Sequence, residues 1–471
     1  MRIIDYSREP VSDIAFIDMK SFYASVECVD RGLHPLRTSL CVMSRADHSA
    51  GLILASSPLF KKIFGQSNVG RAYDLPFDIE TRRFSYEKAL RRGLDCSSAM
   101  VQFIETWAKQ TLIVPPRMDR YIEKNLEIQK IFANYASPED ILPYSIDEGF
   151  IDLTGSLNYF IPGETQSRKT KLDRVSSMLQ REIWDNTRLI ATVGMSNSNP
   201  LLAKLALDNE AKKTKTMRAN WSYSNIENTV WAIPELTDFW GIGQRTALRL
   251  QKLGIHTVRE LAHANPDLLQ KEFGLKGVQL WFHANGVDES NVHQPYQPKS
   301  HSIGNSQILP KDYLFQKDIE LVIREMAEQV AIRLRRQHQK ATVIHLHVGY
   351  AKSERKRPMN VQQTIEPTQQ TKELIHQVTK LFRHHYKTGA VRQIGISYGG
   401  LTTENYSTIS LFEDYEQAER YNQLEATIDD IRDQFGFLAI QKGSTLLNHS
   451  RAIARSRLTG GHSAGGLEGL R

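Results

Sequence analysis

Residues 141–153 read Ile-Leu-Pro-Tyr-Ser-Ile-Asp-Glu-Gly-Phe-Ile-Asp-Leu and place two adjacent carboxylates, Asp147 and Glu148, between apolar segments. Apolar runs on both sides of a polar turn predict two strands, and the glycine that follows Glu148 favours a tight reversal. Residues 14–17 form another apolar run, which we predict to be a buried strand that ends at Asp18. Considered separately, Asp18 could cap a helix, and the acidic pair could form an ordinary polar turn.

The three carboxylates could form a metal site if they lie close together in the folded protein. Carboxylates that share one site repel one another, and the pKa of each rises unless a cation is bound. Mg²⁺ prefers a few carboxylates together with substrate phosphates, and a pair of such ions can assist both oxygens of a phosphoryl transfer. The pattern therefore favours a site for two Mg²⁺ ions formed by Asp18, Asp147 and Glu148.

Length and charge indicate several domains and an anionic partner. The 471 residues suggest three or four domains. The formal net charge is +7, but residues 298–400 alone contain seventeen Lys or Arg against eight Asp or Glu, a net +9. This concentration is typical of a domain that faces nucleic-acid phosphates, although a solvated basic face is an equal alternative.

Other function classes are disfavoured by what the sequence lacks. Its three cysteines show no metal-binding spacing. No apolar run approaches the ~20 residues that a membrane span needs, and the first residues do not form a signal peptide. We therefore expect a cytoplasmic protein with no membrane partner.

The segments of regular structure change in character along the chain. Strand-like and helical patterns alternate across the first half, which predicts an α+β sheet domain. Residues 81–110 are charged and helical in pattern, and we predict that they form an inserted helical pair. In the second half we predict strands at 341–350 and 391–398, a helix at 371–386, and an acidic amphipathic helix at 414–435.

Two of these stretches resemble known signatures. Residues 16–27, Phe-Ile-Asp-Met-Lys-Ser-Phe-Tyr-Ala-Ser-Val-Glu, resemble the first signature of the Y-family DNA polymerases, and residues 144–150 resemble the second. The resemblance covers about residues 10–412 and points to the branch that contains the polymerase V catalytic subunit and its Gram-positive relatives. It implies an α+β multidomain, right-hand polymerase with a ferredoxin-like palm, small fingers, a helical thumb with a helix-hairpin-helix, and an α/β little-finger domain.

The implied domains follow one another in a definite order. They are the palm (1–21 and 117–219), the fingers (22–116, with the helical insertion near 81–110), the thumb (220–291), a linker (292–300), the little finger (301–400) and a C-terminal tail (401–471) with a clamp-binding peptide and the acidic helix.

The resemblance also implies roles for individual residues. Asp18, Asp147 and Glu148 match the family's catalytic metal ligands, and the backbone carbonyl of Met19 matches a further ligand, so two Mg²⁺ ions are the expected cofactors. Tyr23 matches the aromatic steric gate, a rigid ring that excludes the ribose 2′-OH and so selects deoxynucleotides.

The residues expected to contact the incoming deoxynucleoside triphosphate are Phe22, Tyr23, Ser57, Lys61, Lys62 and Lys212. Here the sequence departs from the family pattern, because Pro58 and Lys61 replace a common tyrosine and arginine, and Lys213 stands where proline often follows. Since lysine lacks arginine's bidentate fork, the phosphate contacts are expected to differ in detail.

Contacts to primer–template DNA are implied for Gly241, Gly243, Arg245, Lys299, Arg335 and Arg336. The two glycines let backbone N–H groups approach a phosphate at a helix N-terminus. The peptide Thr408-Ile409-Ser410-Leu411-Phe412 resembles the motif by which bacterial polymerases bind the sliding clamp, with Thr408 where glutamine is usual. Accessory subunits are further possible partners.

The sequence thus predicts a template-directed, low-fidelity DNA polymerase for translesion synthesis in DNA repair. Two alternatives remain at this point. A catalytically inactive, DNA-binding scaffold of the same family would be expected to lose at least one of the carboxylates. A palm-domain nucleotide cyclase would not need the helix-hairpin-helix, the basic domain or the clamp peptide.

Overall fold

The computed structural model describes residues 4–44, 51–65, 70–163, 165–294, 298, 301–403, 415–459 and 462–463. The chain divides into two compact units, Met1–Tyr296 together with Ser463–Arg471, and Gln297–His462. Within the described ranges, no helix is long and apolar enough to cross a lipid bilayer.

The strands of the described residues are β1 (Ile14–Met19), β2 (Leu40–Met43), β3 (Leu52–Ser56), β4 (Gly70–Arg71), β5 (Leu112–Val114), β6 (Ile141–Pro143), β7 (Glu148–Asp152), β8 (Ala191–Ser196), β9 (Arg218–Asn220), β10 (Ile303–Tyr313), β11 (Ala341–Tyr350), β12 (Met359–Thr368), β13 (Val391–Gly399), β14 (Leu458–Thr459) and β15 (His462–Ser463). The α-helices are α1 (Phe22–Val29), α2 (Pro58–Phe64), α3 (Tyr86–Arg91), α4 (Ser98–Gln110), α5 (Met118–Phe132), α6 (Leu157–Phe160), α7 (Arg168–Thr187), α8 (Pro200–Asn209), α9 (Gln244–Lys252), α10 (Val258–His263), α11 (Pro266–Phe273), α12 (Leu275–Ala284), α13 (Gln316–Arg336), α14 (Thr371–His385), α15 (Tyr415–Phe435) and α16 (Ala452–Ser456).

The palm contains a five-stranded sheet in the order β6-β7-β1-β8-β9. The central strand β1 is antiparallel to both β7 and β8, and all of its residues except Asp18 are buried. Helices α5 and α7 cover one face of this sheet, and α8 covers the other. Because side chains alternate along a strand, Phe16 and Asp18 lie on the α8 side.

Helix α8 packs unusually close to the sheet because position 194 in β8 is a glycine. A Cβ atom at Gly194 would lie only 2.1 Å from the backbone carbonyl oxygen of Ala203 in α8. Any larger side chain would therefore push α8 away. This close approach positions the lysines of α8 and of the turn that follows it beside the acidic strand ends.

The fingers contain a four-stranded sheet in the order β4-β3-β2-β5, packed with α2, α3 and α4 around an apolar core. Helices α3 and α4 lie in the region of the predicted insertion. Helix α1 connects palm and fingers, since Phe22 and Val26 belong to the palm core, whereas Ala24 and Cys28 pack against the fingers strands β2 and β5.

The thumb consists of the short helices α9, α10, α11 and α12 around a core that also includes residues of α8. The turn before α9 contains Gly241, whose φ of +93° lies in the region that glycine adopts most readily. Gly243 then forms the N-cap of α9. The predicted helix-hairpin-helix glycines therefore shape the turn that begins the first helix.

The second unit contains a four-stranded antiparallel sheet in the order β10-β13-β11-β12, and α13 and α14 pack with it around one apolar core. This is the little finger of the sequence prediction. Buried and half-buried positions largely alternate along β11, and half-buried and exposed positions alternate along β12, as expected when one face of a sheet is covered by helices.

The predicted division at residue 401 is corrected by the structure, because residues 415–459 pack on the little finger instead of forming a separate tail. The guanidinium of Arg335 in α13 donates from Nε to Asp429 of α15 at 2.6 Å, and Arg455 in α16 pairs with Glu325 of α13 at 2.9 Å. Ion pairs across about a hundred residues are not visible in a local sequence pattern.

Candidate active site

The sheet brings the three predicted carboxylates to one place. Asp18 lies directly opposite Glu148 in the antiparallel pairing of β1 with β7. The backbone N–H of Met19 donates to the carbonyl of Asp147 at 3.0 Å, so the acidic turn is tied to the end of β1. Strand pairing therefore fixes the backbone of the site.

Asp147 shows the electrostatic cost of this convergence. Burial and the charges of Asp18 and Glu148 raise the pKa of Asp147 to about 6, although a hydrogen bond from Ser145 opposes the shift. A bound cation would favour the ionised form and reverse this effect. The chemistry of the donor set therefore fits a hard divalent cation.

Two of the carboxylates are engaged by lysines. The Nζ atom of Lys212 lies 2.9 Å from Oδ2 of Asp18, and Nζ of Lys204 lies 3.1 Å from Oε1 of Glu148. Among the described residues, no three His, Cys, Asp or Glu side chains lie close enough together to hold a metal ion as they stand. Asp18 and Glu148 would have to exchange their lysine partners for a metal ion.

Three lysines surround Asp18. Although burial opposes it, the carboxylates of Asp18 and Asp208 raise the pKa of Lys212. Burial lowers the pKa values of Lys20 and Lys61, and for both the negative charge of Asp18 acts in the opposite direction. The site therefore combines acidic groups with a cluster of cations, as a triphosphate bound through metal ions requires.

Lys20 and Lys204 are absent from the sequence prediction. Lys204 is buried beside the site, where its Nζ also lies 3.3 Å from Asp208 and 4.5 Å from the centre of the Phe16 ring. Lys204 and Asp208 lie four residues apart on one face of α8, and Lys212 follows in the turn after this helix. This spacing in the sequence could have revealed the stripe.

Tyr23 lies near the carboxylates at the beginning of α1. Ser21, the N-cap residue of α1, has a φ of +50°, so the chain turns sharply between β1 and the helix. Burial and then the charge of Asp147 raise the pKa of the Tyr23 hydroxyl. The ring is partly exposed, and it therefore lies where it could meet a ligand bound at the carboxylates.

Two of the predicted nucleotide contacts have buried side chains. Phe22 is 2% exposed and its ring packs in the palm core, so a contact to the nucleotide through this ring is not supported. Ser57 is fully buried, and its hydroxyl donates to the carbonyl of Thr38 at 2.6 Å while it caps α2. Lys62, in contrast, is exposed on α2. The local sequence did not show that α2 turns Ser57 inward.

The thumb turn is exposed next to the palm. Gly241, Gly243 and Arg245 are all exposed, in keeping with the predicted contact to a DNA backbone. A cleft of ≈ 580 Å³ lies between this turn and the end of α8, lined by Asp208, Asn209, Lys213 and residues 237–243. Asp208, which lines this cleft, also pairs with Lys204 and Lys212.

The remaining predicted DNA contacts differ in their outcome. Arg335 is only partly exposed and its guanidinium is bonded to Asp429 of α15, which corrects the prediction that it faces DNA. Arg336 is exposed and forms a surface ion pair with Asp433, so its contact to DNA stays a prediction. Lys299 and the clamp-like peptide 408–412 lie outside the described residues.

Comparisons with known proteins agree with this architecture. The impB/mucB/samB family model matches residues 17–208, the C-terminal domain of that family matches 300–411, and the DNA polymerase-iota thumb domain matches 237–288. UvrX of Bacillus subtilis strain 168 is 33% identical over 463 residues, which cover 98% of this chain and 100% of UvrX.

A second relative and a solved structure extend the comparison. DNA polymerase IV 2 of Bacillus subtilis strain 168 is 30% identical over 451 residues, which cover 95% of this chain and 98% of that protein. A chimera of the Y-family DNA polymerases Dbh and Dpo4 shares the fold, with a TM-score of 0.60 and 18% identity over 83% of this chain and all of the chimera. The chain therefore belongs to the impB/mucB/samB family, the Y-family DNA polymerases.

Proposed function

We propose that this chain is a template-directed, low-fidelity DNA polymerase that performs translesion synthesis by adding deoxynucleotides to a primer 3′-hydroxyl with two Mg²⁺ ions. The observation that carries the proposal is the convergence of three carboxylates, Asp18, Asp147 and Glu148, beside a cluster of lysines. Acidic groups that hold metal ions and cations that neutralise phosphates are the two requirements of nucleotidyl transfer.

The residues that would hold the ions are Asp18, Asp147, Glu148 and the carbonyl of Met19. When bound, two divalent cations activate the attacking hydroxyl and stabilise the leaving oxygen. Their positive charge would also favour ionised Asp147, whose pKa is raised by burial and by repulsion from Asp18 and Glu148.

The lysines supply the second requirement. Lys212, which pairs with Asp18 in the structure, would pair with a phosphate oxygen when Asp18 is a metal ligand, so all charges remain compensated. Lys20 and Lys61 lie within electrostatic reach of the same carboxylate. Buried or partly buried cations act strongly on a triphosphate because solvent screens them less.

Several observations support the role in damage bypass. UvrX, a relative that spans the whole chain, has a name that refers to UV-damage repair. The fingers comprise a small sheet with three short helices, which offers little surface for checking the shape of the nascent base pair. We expect the protein to act in the cytoplasm on primer–template DNA.

The sequence-independent contacts to DNA are proposed for the thumb turn. The exposed residues Gly241 and Gly243 lie at the N-terminus of α9, where a phosphate is favoured. The peptide 408–412 remains our candidate for binding the sliding clamp, and accessory subunits are further proposed partners.

Replacing Tyr23 by alanine is expected to let ribonucleotides enter the site, because the ring that excludes the 2′-OH is removed. Single-nucleotide insertion opposite a defined template base should show ribonucleotide efficiency rising by about tenfold or more relative to deoxynucleotide efficiency. An unchanged ratio would remove Tyr23 from this role without affecting the assignment of the carboxylates.

The inactive-scaffold alternative has no observation in its favour. A scaffold has no need of a site that forces Asp18, Asp147 and Glu148 together, since their repulsion destabilises the fold. All three are present, and the lysine cluster that a triphosphate needs lies beside them.

A further inference from the structure

Tyr23 rests on a second tyrosine that belongs to a different helix. The Tyr23 ring at the start of α1 stacks on the ring of Tyr121 in α5, with centroids 4.3 Å apart and planes inclined by 12°. Tyr121 is fully buried, whereas Tyr23 is partly exposed. One face of the Tyr23 ring is therefore covered by a side chain that is held inside the core.

A buried carboxylate anchors the hydroxyl of Tyr121. This hydroxyl donates to Oε1 of Glu27 at 2.8 Å, and Glu27 is fully buried. Arg117 donates to both oxygens of Glu27, from Nε at 2.9 Å and from Nη2 at 3.0 Å, and Arg31 forms a further ion pair with it. A bidentate guanidinium fixes the orientation of a carboxylate, so the acceptor for Tyr121 is itself rigid.

The four residues form two matched pairs on facing helices. Tyr23 and Glu27 are one turn apart on α1, and Arg117 and Tyr121 are one turn apart at the start of α5. Residues four positions apart share one helix face. The two faces meet so that ring contacts ring and carboxylate contacts guanidinium, and this arrangement sets the rotation of α1 that presents Tyr23.

The arrangement is more than is needed to fill a core. Replacing ion pairs of a buried carboxylate by apolar residues of similar volume is often neutral or stabilising, so the arginine partners of the buried Glu27 are not explained by stability alone. Discrimination by shape, in contrast, depends on a ring whose rotamer is locked by its neighbours. If the Tyr23 ring could move to another rotamer, it would no longer exclude the 2′-hydroxyl of a ribonucleotide.

We propose that Tyr121, held by Glu27 and Arg117, is a positioning residue that fixes the Tyr23 ring for discrimination between ribose and deoxyribose. The inference rests on the proposed role of Tyr23 as the ring that excludes the 2′-hydroxyl. It adds a determinant of sugar selection that touches neither the nucleotide nor the metal ligands.

The test compares insertion of dCTP and rCTP opposite a template guanine by the full-length protein. The quantity measured is the kcat/KM for dCTP divided by the kcat/KM for rCTP. Replacing Tyr121 by leucine removes the stacked ring and the hydroxyl, and the ratio is expected to fall by about three- to tenfold, the range that an aromatic pair contributes. The fall should come from faster rCTP insertion, with dCTP insertion changed much less.

A matched control is available in the same core. Tyr135 is buried in the palm, and its hydroxyl donates to Oε2 of Glu182 at 2.8 Å, but its ring stacks on Phe160 and not on Tyr23. Tyr135→Leu should lower thermal stability as Tyr121→Leu does and leave the dCTP to rCTP ratio unchanged. An equal fall in both variants would overturn the proposal, because it would reflect general loosening of the palm.

The Tyr23→Ala variant separates the inference from the proposed function. If Tyr23→Ala lowers the ratio and Tyr121→Leu does not, the positioning role is wrong while the steric gate stands. If Tyr23→Ala leaves the ratio unchanged, both the gate and the positioning role are wrong. In the double variant, Tyr121→Leu should have no additional effect, because it acts through Tyr23.

Should Tyr121→Leu fail to fold, Tyr121→Phe carries the test. It retains the stacked ring and removes only the donor to Glu27. A fall in the ratio of about twofold is expected, since a net hydrogen bond contributes modestly. An unchanged ratio would show that the bond to Glu27 does not orient the gate.

Discussion

Replacing Asp18 or Glu148 by alanine is expected to reduce nucleotide addition by at least ~1,000-fold, because each change removes a ligand from the site that neutralises the reacting phosphate. Primer–template affinity should change by less than about threefold, since phosphate contacts distant from the carboxylates supply most of it. Single-turnover insertion rates and equilibrium binding of a labelled primer–template measure the two quantities.

The control for this prediction is Asp173→Ala. Asp173 is also a palm carboxylate in an ion pair, with Nε of Arg218 at 2.8 Å from its Oδ1, but it is not among the proposed ligands. The Asp173→Ala variant should retain nearly full activity in nucleotide addition. Loss of DNA binding in parallel with activity in the Asp18 or Glu148 variant would count against the metal assignment, because it would indicate a damaged fold.

Replacing Lys212 by alanine is expected to raise the KM for the incoming deoxynucleoside triphosphate by about 10- to 100-fold, as loss of a hydrogen bond between charged groups predicts. Lys212 contacts Asp18 and Asp208 and lies beside the site that the phosphates would occupy. The measurement is single-nucleotide insertion at varied nucleotide concentration.

Lys169→Ala is the matched control for Lys212→Ala. Lys169 is an exposed lysine on α7, which covers the face of the palm sheet opposite to α8, and its removal should change KM by less than about twofold, as is usual for surface charges. Equal effects of the two changes would mean that the protein's general positive charge binds the nucleotide, and that Lys212 has no specific contact.

The lysines around the carboxylates also explain how this site can fold. Burial and repulsion from Asp18 and Glu148 raise the pKa of Asp147. Lys212 and Lys204 compensate Asp18 and Glu148 from the α8 side, and the glycine at position 194 allows α8 to approach closely enough to do so. The same helix thus contributes to stability and to the proposed binding of phosphates.

The sequence was informative where the chemistry is local. The apolar run before Asp18 and the hairpin around Asp147 predicted the two strands that the structure pairs, and the family comparisons confirm the Y-family assignment and the multidomain fold. Placement beside the polymerase V catalytic subunit stays a prediction, because the relatives described above are named UvrX and DNA polymerase IV.

The sequence was uninformative where a contact joins distant segments. Ser57 was expected at the phosphates, but the capping of α2 turns its hydroxyl inward. Arg335 was expected at DNA, but an acidic helix about ninety residues later binds its guanidinium. The stack of Tyr23 on Tyr121 also depends on how α1 and α5 meet, which no local pattern records.

The most direct test of the central claim is primer extension on a defined template with Mg²⁺ and the four deoxynucleotides, comparing the wild type with Asp147→Ala. The account predicts template-directed extension by the wild type and none by the variant, although both bind primer–template equally. Extension that persists in Asp147→Ala would contradict the proposed site. Absence of extension by a folded, DNA-binding wild type, even with the sliding clamp and accessory factors added, would contradict the proposed activity.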